Sequence, residues 1–178
     1  MNQPPDPPPP DLKDWTWVLD RTCPECGFEA ATVERSRIGE LLRENTQAWI
    51  RVLGGDEQVL RTRPSADVWS TTEYACHVRD VHRLYSERLE LMLAEDNPMF
   101  ANWDQNEAAV ERRYDLADPG QVKGELNTAG LKLADEFDTV AGEQWDRRGR
   151  RSDGANFTIE TFARYLLHDP VHHLYDVT

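Results

Sequence analysis

Residues 158–174 read TIETFARYLLHDPVHHL. Ile159, Phe162, Ala163, Leu166, Leu167 and Leu174 recur at three- and four-residue spacing, which predicts an amphipathic helix from about Thr158 to the C-terminus. The same run carries His168, Asp169, His172 and His173. Residues four apart on a helix face the same way. Either His168/His172 or Asp169/His173 can therefore close on one metal ion, with a third ligand from another helix. Three ligands with open positions are the pattern of a catalytic metal rather than a closed structural one. The apolar stripe defines the buried direction. At roughly 100° per residue, His173 lies about 60–70° from its centre and Asp169 about 100°, while His168 and His172 point away. Pro170 removes a backbone donor and can kink the helix, which would turn His168 or His172 into the site instead.

Three further helices lead up to this one. Ile38, Leu41, Leu42, Asn45, Trp49, Val52 and Leu53 predict the first, near 33–53, ended by Gly54-Gly55. The second, near 70–95, opens with a capping box, Ser70-Thr-Thr-Glu73, and carries Tyr74, Val78, Val81, Tyr85, Leu89 and Met92. His77 lies at the edge of that stripe, and His82 shares the helix. The third opens at Asp118-Pro119, an N-cap with proline in the first turn, and continues through Val122, Leu126, Ala129, Leu133, Phe137 and Val140. There is no convincing strand run and no internal repeat. The pattern predicts an all-α four-helix bundle over 33–178. The long connections at 54–69 and 96–117 allow crossover connections as readily as an up-down order.

The composition narrows the function. The chain has 178 residues, 20 Lys+Arg against 33 Asp+Glu, and a formal charge of −13. One domain of that length can bury a sufficient core without disulfides. The acidic balance argues against nucleic-acid partners and anionic membranes. No stretch approaches the roughly 18 apolar residues of a spanning helix. The N-terminus lacks the basic and apolar regions of a signal peptide, and three cysteines form no disulfide framework, so the expectation is a cytoplasmic protein.

Residues 1–32 read as a separate extension. Six of the 11 prolines lie in residues 1–10, which predicts an extended arm. Residues 11–32 are too apolar for a tail and should lie across the body in an irregular path around Cys23-Pro-Glu-Cys26-Gly. One CxxC supplies half a zinc site and lacks the strand-helix context of a redox pair, so the expectation is a turn packed on the body. Arg147, Arg148, Arg150 and Arg151 form an Arg-rich, Gly-containing turn that can line the rim of a site and hold a carboxylate. Glu73 can act as a base one turn before His77, although capping already explains it. Trp103-Asp104 can close over the pocket.

The motifs V68-W-S-T-T-E-Y-A-C-H77 and T158-I-E-T-F…L-L-H168-D169-P-V-H172-H173 resemble those of the DinB/YfiT-like superfamily of four-helix-bundle proteins, which includes mycothiol-dependent maleylpyruvate isomerase-like proteins. The resemblance covers about 33–177. It implies a divalent metal, nickel or zinc, held by His77 and a pair near the end of the last helix. Ungapped counting from Thr158 places Asp169 and His173 on that pair; matching the letters H-x-x-x-H selects His168 and His172. An aspartate departs from the commoner all-histidine set. The resemblance further implies a metal-dependent enzyme, a thiol-dependent transferase or isomerase using mycothiol or a similar low-molecular-weight thiol on a small-molecule substrate. The competing reading is a non-catalytic binding or dimerisation module with a structural or degenerate metal site. Either is compatible with a homodimer.

Overall fold

The computed structural model describes residues 14–178, so the proline arm of residues 1–10 lies outside the described residues. The four long helices are α1 (Ile38–Val52), α3 (Thr71–Ala94), α5 (Pro119–Thr139) and α6 (Ile159–Asp176). Short helices α2 (Glu57–Arg61) and α4 (Gln105–Glu111) sit in the connections. Each long helix after α1 starts where its capping residue predicts. Ser70 accepts from the Glu73 amide while Glu73 accepts from the Ser70 amide. Asp118 caps Gln121 with Pro119 in the first turn, and Thr158 caps Thr161. The first helix begins later than predicted, because a 3₁₀ turn at Arg35–Arg37 precedes it.

The order is a crossover one. α5 packs against both α1 and α3, and α6 packs against the same two. Arg43 near the start of α1 pairs with Asp135 and Asp138 near the end of α5, so these helices are antiparallel. Arg79 pairs with Glu125 and Ser86 with Lys132, so α3 and α5 run parallel. Tyr85 stacks on Phe162 while His77 meets Asp169, so α3 and α6 are antiparallel. This antiparallel pair brings the histidines of two distant motifs to one end of the bundle.

Strands are present, against expectation. β1 (Met99–Phe100) pairs in parallel with β2 (Arg148–Arg151), and β2 pairs antiparallel with β3 (Asn156–Thr158). Runs of two to four residues are too short to show an alternating pattern. Thus the Arg-rich segment is a hairpin rather than a simple turn. Among the described residues no helix is long and apolar enough to cross a membrane.

Two apolar clusters fill the bundle. One joins Leu42, Leu89, Leu133, Phe137, Phe162 and Leu166; the other joins Trp49, Trp69, Val78, Tyr114, Val122 and Leu126. Each fully buried Leu or Phe contributes about 1.5–3 kcal/mol. Polar side chains are also buried along the bundle, among them Asn45, Thr46 and His82. Gly130 allows α5 to approach them. A Cβ there would lie 2.2 Å from Thr46 Oγ1, 3.0 Å from Thr46 Cγ2 and 3.2 Å from His82 Nδ1. Gly130→Ala should therefore destabilise the fold by about 1–3 kcal/mol through overpacking, measurable by denaturant titration.

His82 is fully buried and neither ring nitrogen has a hydrogen-bond partner. Burial pushes its pKa from 6.5 down to about 4. Between those values the unfolded chain takes up a proton that the folded chain refuses. Stability should therefore fall as pH drops through that window, by up to about 3 kcal/mol from this group. Denaturant titrations on either side of the window should show a shallower fall in His82→Leu.

Candidate metal centre

His77 projects from the second turn of α3 and is 1% exposed. Its Nε2 lies 3.2 Å from each carboxylate oxygen of Asp169 on α6. His173, one turn further along α6, meets the His77 ring edge-on at 4.9 Å between centroids. Donor atoms of His77, Asp169 and His173 all lie within 4.8 Å of one another. Ligands at about 2.0–2.1 Å from a tetrahedral cation lie about 3.3 Å apart, so a slight contraction would close the set. Two imidazoles and a carboxylate suit a divalent transition metal. The outer contacts fit as well: His173 Nδ1 lies 2.9 Å from Asp176 Oδ2, the kind of carboxylate contact that orients a ligating ring. Burial opposes the charge on Asp169, but the neighbouring His77 and His173 rings outweigh it and hold the carboxyl well below the usual range.

The triad sits on the wall of a cavity of about 1050 Å³. Trp69, Tyr74 and Trp103 line the end near the triad, and Arg88, Arg151 and Tyr165 line it elsewhere. Trp103 stacks on His77 at 5.5 Å, which puts the predicted closing residue against the centre.

The other predicted residues are distributed differently. His168 and His172 form the adjacent face of α6 and do not join His77. They are buried, contrary to the direction their phase implies, because the N-terminal segment covers them. Trp15 packs 5.4 and 5.3 Å from the two rings, and Cys23 and Cys26 complete the group. Pro170 does not displace them into the first site, because α6 continues through it. Glu73 does not line the cavity; Arg63 and the Ser70 amide hold its carboxylate. Among the four arginines, only Arg151 lines the cavity. Arg147 donates to the carbonyls of Met92 and Glu95, and Arg148 and Arg150 are exposed. Cys76 packs in the apolar core, where burial pushes its thiol up to about 12.

Arg88 was not anticipated from sequence. It is 6% exposed, its Nη2 donates to the Ala101 carbonyl at 2.7 Å, and its Nε is buried without a partner. Burial lowers its pKa, and nearby Arg151 adds to that. The available signal was an arginine beside Leu89 on the inward stripe of α3, where an unpaired charge is costly.

The family model described as the DinB superfamily matches residues 38–177. The chain belongs to the DinB superfamily. The crossover bundle is shared with a solved structure, YfiT from Bacillus subtilis, at a TM-score of 0.71 and 18% identity, covering 80% of this chain and 85% of that one. That protein is described as a probable metal-dependent hydrolase with an unusual four-helix bundle topology. No curated protein matches the chain. Within this bundle, His77 on α3 and the i,i+4 pair Asp169 and His173 on α6 come together from neighbouring helices.

His77→Ala and His173→Ala should each weaken nickel or zinc binding at this centre by more than the roughly 10–100-fold expected for losing an outer contact, here Asp176→Asn. Competition with a chromophoric chelator measures this ranking. Equal affinity in wild type and both alanine variants would contradict the site.

Proposed function

We propose that this DinB protein is a metal-dependent enzyme acting on a small molecule in the cavity beside His77, Asp169 and His173. The observation that carries this reading is the placement of three donors, rather than four, on the wall of a large cavity. Nickel or zinc bound there would supply Lewis-acid activation of a nucleophile or substrate oxygen.

The chain supplies binding and orientation. Arg88 and Arg151 place guanidinium groups on the cavity wall for a substrate anion. Arg151 is braced by Asp153 at 2.7 Å and by the Tyr165 hydroxyl at 3.3 Å. Trp103 shields His77 from water. Among the described residues no cysteine, serine or lysine lines the cavity. The resemblance to a superfamily that includes mycothiol-dependent proteins favours a low-molecular-weight thiol from solution as the nucleophile. Transfer or isomerisation through that thiol is the leading reaction class. Water is the second reading, supported by the description of YfiT as a hydrolase. The three free thiols fit a cytoplasmic setting.

The test is turnover by metal-loaded protein with mycothiol or similar thiols and anionic electrophiles, beside a panel of esters and amides without thiol. Thiol-dependent turnover is expected. Arg151→Met should raise KM for anionic substrates by about tenfold or more, as expected for a lost charged hydrogen bond. Thiol-independent hydrolysis would favour the second reading. Silence of both panels in metal-loaded protein would contradict the enzyme and favour a helical binding module.

A further inference from the structure

We propose that Cys23, Cys26, His168 and His172 form a second, closed metal site of the zinc class, which fastens the N-terminal segment to α6. The four residues come from opposite ends of the chain, and their donor atoms all lie within 4.8 Å of one another.

The cysteine half is a shaped turn. The Cys23 amide donates to the Phe28 carbonyl at 2.8 Å, and the Gly27 amide donates to the Cys23 carbonyl at 2.9 Å. Gly27 takes φ +74°, a left-handed conformation that side chains disfavour. The turn brings both sulfurs to one side.

The histidine half uses the face of α6 next to the first site. His168 and His172 are one turn apart and only 5% and 8% exposed, with ring centroids 5.0 Å apart. His168 Nε2 is buried without a hydrogen-bond partner, a costly state for a core nitrogen that a cation would relieve. His172 Nδ1 lies 3.7 Å from Cys23 Sγ. Sulfur and nitrogen sharing a tetrahedral zinc at about 2.3 and 2.0–2.1 Å lie about 3.6 Å apart. The opposite nitrogen, His172 Nε2, lies 3.2 Å from the carboxylate of Glu25, a residue inside the CxxC turn. That contact fixes the ring so that Nδ1 faces the sulfurs.

Two thiolates and two imidazoles select zinc over harder cations, and four protein donors leave no position for substrate. Binding displaces the two thiol protons to solvent, so charge and atoms balance without any oxidant. The consequence is structural. Asp14, Trp15 and Thr16 line the cavity of the first site. A cation on the cysteine turn would hold this wall against α6. The last turns of α6 thus alternate ligands: 168 and 172 for the closed site, 169 and 173 for the open one.

The experiment uses the full chain, demetallated under reducing conditions and refilled with cobalt(II). A thiolate-to-cobalt charge-transfer band with intense tetrahedral d–d bands is expected in wild type and in His77→Ala, and absent in Cys23→Ser/Cys26→Ser. The cysteine variant should retain metal binding at the first centre, so the two sites separate. If that variant fails to fold, wild type still decides: Cys23 and Cys26 should resist a thiol reagent until a chelator is added. No charge-transfer band in wild type, a band unchanged in the cysteine variant, or a Cys23–Cys26 disulfide in the purified reduced-handled protein would overturn the proposal.

Discussion

Asn45 Nδ2 and Trp49 Nε1 on α1 both donate to the Pro170 carbonyl on α6, at 3.2 and 3.1 Å. These buried bonds fix the rotation of α6 at the position of the helix-interior proline. An α-helix turns about 100° per residue, so a slip of one position would exchange the roles of 168/172 and 169/173. Leu166 and Leu167 on the preceding turn are buried in the core and oppose such a slip. The remaining geometry follows from that phase. Asp169 and His173 face α3, and His168 and His172 face the N-terminal segment.

Given this phase, the antiparallel crossing of α3 and α6 supplies the third donor. His77 is set by a helix whose start is fixed by the Ser70–Glu73 capping box, itself tied to Arg63. Glu73 therefore positions the helix that carries His77 instead of facing the cavity. The crossover topology matters here because α6 packs against both α1 and α3. One neighbour anchors it and the other brings His77 beside Asp169 and His173.

Much of this was legible in the sequence, because it is written locally. Apolar periodicity and caps at Ser70, Asp118 and Thr158 mark the long helices, and helix phase turns Asp169 and His173 toward the core edge, where the structure brings them beside His77. What the sequence hid depends on distant chain segments meeting. The burial of His168 and His172 requires a turn 149 residues away from His172, at Cys23, to fold back over them. Periodicity within α6 therefore assigns those rings to solvent. The three-stranded sheet escaped because its strands are too short to alternate. The same sheet separates Arg151, which reaches the cavity, from Arg148 and Arg150, which face outward; a count of arginines carries no such distinction.

Anomalous diffraction from crystals of the full chain grown with nickel or zinc tests the central claim most directly. The account predicts a peak at the metal's absorption edge bounded by His77 Nε2, the Asp169 carboxylate and a ring nitrogen of His173. Fully loaded crystals with no peak among those three residues would contradict it.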